Sequence, residues 1–136
     1  MSQLPKNTQT EIIFLDANVL LEIILGRDNG AIARKTLEAR QNNLFISSLT
    51  AHLVVHFGKA LVDLPILRQF LSDYTILSLE SMDFEWAFTN LRDSNFEDAL
   101  QIGVAIRNGC TDFLTFDKNQ HKAYVGLPTI RMKLLG

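Results

Sequence analysis

Four short apolar runs, each bounded by turn residues, punctuate the chain at Ile12–Leu15, Leu44–Ile46, Tyr74–Leu77 and Phe113–Phe116, with a weaker one at Thr129–Arg131. The runs are continuous rather than alternating, which is the pattern of strands buried on both faces of a parallel sheet. Between them apolar residues recur at helical spacing over Asn18–Leu25, Gly30–Arg40, Leu49–Leu61, Pro65–Leu71, Met82–Arg92 and Asp98–Asn108. Strand and helix alternate, which predicts an α/β fold: a three-layer α/β/α sandwich with right-handed crossovers and a mostly parallel central sheet of about five strands. Ligands of such a sheet sit in the crevice beyond the carboxyl ends of its strands.

Local signals agree with this division. Asn95 is placed to cap a helix starting near Phe96, with Glu97 and Asp98 in its first turn, and Gly109 follows Arg107 and Asn108 as a helix C-terminal glycine. Trp86 and Phe88 lie in an amphipathic helix and are expected in the core rather than on an RNA-stacking surface.

Composition narrows the class. With 136 residues, 47% apolar and 21% charged, with only 3 prolines and 7 glycines, the chain is expected to fold throughout as a single domain over residues 1–136. The polar start MSQLPKNTQT precedes only a short apolar run, and no apolar stretch approaches the ~20 residues of a membrane span, so a cytoplasmic protein is expected. Cys110 is the only cysteine, which excludes an intramolecular disulfide and a cysteine-built zinc site and suits a buried small hydrophobe. The net charge of −2 does not suit a purely electrostatic nucleic-acid binder. An enzyme that holds phosphates through metal ions tolerates an acidic site, because the ions supply the positive charge.

The candidate chemistry lies in three acids. Asp16 follows the run IIFL and Asp117 follows FLTF, so both stand at carboxyl tips of strands, while Asp98 stands in the first turn of a helix. Taken singly, each has a structural role open to it: Asp16 as a helix N-cap, Asp98 as a complement to the helix dipole, Asp117 in a turn. Taken together they fall where the topology puts the ligand site. Converging carboxylates repel unless a cation binds or a proton is shared, and oxygen-only ligation points to Mg²⁺ or Mn²⁺ rather than zinc.

The ordered strings FLDANVLL, ISSLTAHLVV, NFEDALQ and FLTFDKN resemble the PIN domain, the metal-dependent ribonuclease fold that includes the VapC-type toxins of bacterial toxin–antitoxin pairs. The resemblance covers nearly the whole length and rests on order and spacing rather than on one motif. It implies that Asp16, Asp98 and Asp117 are metal-ligand and catalytic acids, that Asn18 and Thr115 support them, and that Glu97 lies close enough to turn toward the site. It implies a metal-activated water as the nucleophile, RNA as the substrate, an antitoxin whose tail covers the crevice, and a homodimer. The sequence departs from the family pattern at Leu53, where many members carry an acid three residues after the Ser/Thr that is Thr50 here. His56, three residues further on, is a candidate substitute ligand. The pair His52 and His56 has the spacing of a zinc helix, but HLVVH lacks the metalloprotease glutamate.

Other charges have no decided role. Lys118, His121 and Lys122 either meet an RNA backbone at the rim or belong to a solvated loop. Glu22 reads as a surface charge, and Arg27 either closes the site or ends a helix. The reading is a metal-dependent endoribonuclease. The alternative is a degenerate PIN domain that binds RNA or a protein partner without cleavage, and a phosphatase on a similar sheet would need a covalent-aspartate motif that the sequence lacks.

Overall fold

The computed structural model describes residues 11–40 and 44–136, and among them five strands and seven helices build an all-parallel sheet covered on both faces. The strands are β1 (Ile13–Leu15), β2 (Leu44–Ser47), β3 (Thr75–Leu77), β4 (Asp112–Thr115) and β5 (Arg131–Leu134), in the spatial order β3-β2-β1-β4-β5. The helices are α1 (Ala17–Ile24), α2 (Gly30–Glu38), α3 (Ser48–Gly58), α4 (Leu64–Leu71), α5 (Ser81–Asn90), α6 (Phe96–Arg107) and α7 (Lys118–Tyr124). Among the described residues no helix is long and apolar enough to cross a membrane.

The period-2 geometry of strands splits each central run between two cores. Ile13 and Leu15 of β1, Leu44 and Ile46 of β2 and Leu114 of β4 join one core with Val19 and Leu20 of α1, Ala33 and Leu37 of α2, Val54 of α3 and Leu67 of α4. Phe14 and Phe113 stack at 5.3 Å on the other face, in a core shared with α5, α6, Cys110 and Tyr124 of α7. Each buried Leu, Ile or Phe contributes roughly 1.5–3 kcal/mol, so the middle of the sheet is the best anchored part. Its register is Ile13↔Asp112, Phe14↔Phe113 and Leu15↔Leu114.

Burial on both faces holds for β1 and β4 but not at the edges. Thr75 and Ile76 of β3 are exposed, because an edge strand has a neighbour on one side only. The weak run at Thr129–Arg131 is displaced: the strand is Arg131–Leu134, and it alternates around buried Met132 as a half-solvated strand does. A helix unmarked by apolar spacing, α7, occupies the segment after Asp117. Phe88 does not enter the core. It is 70% exposed and touches Phe96 at 4.8 Å, whereas Trp86 is half-buried. Cys110 is buried, and burial pushes its thiol up to about 12. As its position suggests, Asn95 caps α6 by accepting from Glu97 N, and Gly109 takes a positive φ of 72° beyond the last turn.

At the amino end of the sheet a buried acid is fully compensated. Asp112 Oδ1 accepts from Thr111 Oγ1 at 2.7 Å and Arg131 Nη2 at 2.9 Å, and Oδ2 pairs with Lys133 Nζ at 2.7 Å. Burial pushes this carboxyl up, but the bonds from Lys133, Thr111 and Arg131 outweigh it and hold the group below its ordinary value. A carboxyl depressed in the fold adds stability that is complete above its unfolded pKa, 3.8, and is lost as pH falls through the folded value. Asp112→Asn is therefore expected to cost about 1–3 kcal/mol in urea denaturation at neutral pH, with the gap to the parent closing below about pH 4. A second expectation concerns the α1–α2 turn, where a Cβ on Gly30 would stand 2.8 Å from the carbonyl oxygen of Glu22. Gly30→Ala should destabilise by about 1–3 kcal/mol, read as a lowered thermal midpoint, because backbone must move to admit the methyl.

Candidate metal centre

The parallel pairing of β1 with β4 sets Asp16 and Thr115 side by side. Asp16 ends β1 and occupies the N-cap position of α1, yet its side chain makes no capping hydrogen bond and is only 5% exposed. Its Oδ2 accepts from Thr115 Oγ1 at 3.1 Å. The same hydroxyl oxygen accepts from Asn18 Nδ2 at 3.1 Å and Asp117 N at 3.0 Å, while Asn18 Oδ1 accepts from Phe116 N at 3.1 Å. One hydroxyl thus ties Asp16, Asn18 and the backbone of Asp117 into a single network. Asp117 is also the N-cap of α7, its Oδ1 accepting from Asn119 N and Gln120 N at 2.9 and 3.0 Å. The turn open to it in the sequence is in fact a helix cap, which occupies one of its oxygens.

Asp98 enters from the first turn of α6 and is 6% exposed. Its carboxylate receives no hydrogen bond from any N–H donor among the described residues; only its backbone oxygen is engaged, by Gln120 Nε2 at 3.4 Å. Burial, a hydrogen bond with Asp93 and the negative charges of Asp16, Asp93 and Asp117 push Asp98 up to about 9. Burial pushes Asp16 up to about 7, against the bond from Thr115, with Glu97 and Asp117 adding repulsion. Glu97 is half-buried and acts on Asp16 through charge. Among the described residues no Lys, Arg or His forms an ion pair with Asp16, Asp93, Glu97, Asp98 or Asp117.

A second buried network flanks the acids. Gln101, one turn after Asp98, accepts from Ser47 Oγ at 2.7 Å and donates to Thr50 Oγ1 at 2.9 Å, and Ser47 Oγ caps α3 by accepting from Thr50 N at 3.1 Å. It locks the tip of β2 to α6. Sequence reasoning passed over Gln101, Ser47 and Asp93. The available signals were a glutamine one helical turn from Asp98 and an acid in the turn feeding the acid-bearing helix.

The structure does not bring every candidate to the crevice. Thr50, Val54 and Gly58 form the buried stripe of α3. At ~100° per residue His56 falls on the opposite side; it is exposed, stacked on His52 at 5.8 Å and edge-on to Phe57, with no polar contact to the acids. Leu53 is half-buried on the flank between these faces. Lys118 and Lys122 are exposed on α7, beside Asp117, and His121 is half-buried there. Glu22 and Arg27 pair with each other at 3.4 Å at the end of α1.

The donors are carboxylates with a threonine hydroxyl and an asparagine amide behind them, which suits a hard cation. Among the described residues no three His, Cys, Asp or Glu side chains stand close enough together to hold a metal ion between them. Mg²⁺ keeps several waters and needs only one or two protein carboxylates, so buried and uncompensated Asp16 and Asp98 fit a hydrated Mg²⁺ or Mn²⁺ and not a closed zinc site.

Solved structures share this architecture. The chain is similar to a toxin–antitoxin complex from Klebsiella pneumoniae, with 22% identity and a TM-score of 0.71 over 87% of this chain and 94% of that one. It is also similar to VapBC2 from Rickettsia felis bound to a DNA fragment from its promoter (15% identity, TM-score 0.66, 91% and 98% covered) and to DNA-bound VapBC from Salmonella typhimurium (16%, 0.66, 90% and 97%). No curated protein matches the sequence. Identities this low speak for the fold alone. The family model of the PIN domain matches residues 13–126, a span that contains both strand-tip acids, the helix α6 acid and the Thr115 network, and the chain belongs to the PIN domain family.

Proposed function

We propose that the protein is a metal-dependent endoribonuclease that cleaves RNA phosphodiester bonds, and that it is the toxin of a toxin–antitoxin pair. The observation that carries this reading is the burial of Asp16 and Asp98 at the carboxyl end of a PIN sheet with, among the described residues, no cationic side chain paired to either. Proteins rarely bury carboxylates without compensation, and a divalent ion is the compensation this donor set suits.

Asp16, Asp98 and Asp117 would hold Mg²⁺ or Mn²⁺, with Glu97 adding negative charge at the edge. The ion, when bound, supplies positive charge that activates water and offsets charge on the phosphodiester. Thr115 and Asn18 fix the Asp16 carboxylate and the Asp117 backbone in place, as supporting partners of ligands do. Lys118 and Lys122 on exposed α7 are positioned to contact RNA phosphates, which would set register rather than sequence preference. Two of the similar structures are VapBC complexes, and this supports an antitoxin as protein partner here. The exposed Phe84 and Phe88, one helical turn apart on α5, support a homodimer.

A second reading is a PIN domain that binds RNA or protein without cutting. Leu53 in place of an acid favours it, as does the fact that among the described residues no three His, Cys, Asp or Glu side chains are grouped to hold an ion.

In the first reading, Asp16→Asn and Asp98→Asn lower Mn²⁺-dependent RNA cleavage at least about a hundredfold, and relieve the growth arrest that induction of the parent causes. Cleavage equal to the parent in both variants would sink it. The same site predicts a pH dependence. A carboxyl raised in the fold favours folding below its unfolded pKa, 3.8, and withdraws that contribution as pH rises through the folded values, about 7 for Asp16 and about 9 for Asp98. The thermal midpoint of metal-free protein should therefore fall between pH 4 and pH 9 in this sense. Asp98→Asn should flatten the fall by about 1–2 kcal/mol, and Mn²⁺ should reverse it in the parent only.

A further inference from the structure

Asp98 and Asp117 belong to different helices, and one residue is bonded to both. Gln120, in the first turn of α7, donates its backbone N–H to Asp117 Oδ1 at 3.0 Å and its side-chain Nε2 to the backbone oxygen of Asp98 at 3.4 Å. It is fully buried, as is Tyr124 one turn later, and the two make the buried face of α7. Tyr124 reaches the turn that precedes α6: its hydroxyl donates to Asp93 Oδ1 at 3.3 Å and accepts from Arg92 N at 3.0 Å. The α7 helix is thus braced against the amino end of α6 at two levels, and Gln120 holds the level of the acids.

For cohesion alone Gln120 is a poor choice of residue. The bond from its Nε2 is long, and among the described residues its buried Oε1 has no hydrogen-bond partner. Turning the amide over brings no relief, because Oε1 would then face the carbonyl oxygen of Asp98. A buried acceptor without a donor lowers stability, and an unbranched apolar side chain of the same length fills the same space without that penalty. Gln101 on α6, also buried, differs in having both ends of its amide engaged, by Ser47 and Thr50. What Gln120 supplies and an apolar side chain does not is direction: a donor fixed on the backbone of Asp98 itself.

We infer that Gln120 is a positioning residue of the crevice, which sets Asp98 of α6 against Asp117 of α7 and lowers the stability of the fold in doing so. This rests on the proposed reading of Asp16, Asp98 and Asp117 as cation ligands, whose spacing must hold for one hydrated ion to meet them. Gln120 itself touches no ion and acts through the two acids it joins.

The test sets calorimetric titration with Mn²⁺ beside thermal melts of the metal-free full chain, for the parent, Gln120→Met, Gln120→Asn and Asp98→Asn. Methionine keeps the length of the side chain without its amide, and asparagine keeps the amide on a side chain too short to reach Asp98. Gln120→Met is expected to melt at or above the midpoint of the parent yet bind Mn²⁺ at least about tenfold more weakly, the loss that follows removal of a ligand's supporting partner. Gln120→Asn is expected to melt lower, through the space it leaves, and to bind as weakly. Stability and affinity therefore move apart in the methionine variant, which a glutamine serving cohesion alone would not produce. A lowered midpoint in Gln120→Met would overturn the inference. So would parent-like affinity in that variant with binding lost in Asp98→Asn, a result that leaves the ribonuclease reading standing. Absence of Mn²⁺ binding in the parent would overturn both.

Discussion

The pairing of β1 with β4 at the middle of the sheet governs where the two strand-tip acids of the crevice, Asp16 and Asp117, stand. Parallel strands end at the same level, so register alone brings the tips of the two runs together. Thr115 then converts proximity into geometry, because one hydroxyl oxygen serves Asp16, Asn18 and the Asp117 backbone at once. Shift β4 by one residue and Thr115 turns to the opposite face. The stacked Phe14 and Phe113 and the fully buried leucines beside them resist that shift.

The two ends of this sheet treat buried acid in opposite ways. At the amino end Asp112 is surrounded by Lys133, Arg131 and Thr111, and its charge is favoured. At the carboxyl end Asp16 and Asp98 are desolvated among other acids, and their charge is disfavoured. The same residue type is therefore a source of cohesion at one end and of strain at the other. That imbalance is what the proposed cation would relieve.

Much of this was legible in the sequence for a physical reason. Strands buried on both faces must be apolar throughout, so β1, β2 and β4 stand out as short runs, and a polar residue at the end of such a run falls at the sheet edge where Asp16 and Asp117 are found. The signal fades where burial is partial. The strand β5 reads RMKL, with one buried residue, and was placed too early; α7 reads KNQHKAY and has no apolar period to detect. Phe88 was assigned to the core from amphipathic spacing, but α5 packs through Ala87 and Asp83 instead. His56 shows the limit of spacing rules, since i+3 places it near Leu53 while the buried stripe of α3 turns it outward. Asp93 has no motif at all. Only the fold brings Tyr124 of a distant helix to donate to it.

The network through Thr115 joins residues 99 positions apart in the chain. On the ribosome, β1, β2 and β3 emerge early and can pair with one another, but β1 lacks its second neighbour until residues beyond Asp112 are made. Long-range parallel pairing is slow, because loop closure must precede the contacts that reward it. The acid crevice consequently exists only once β4 has been made, and a chain stalled before β4 holds Asp16 and Asp98 without the strand that orients them. Emergence of β4 and assembly of the acid crevice thus become nearly the same event.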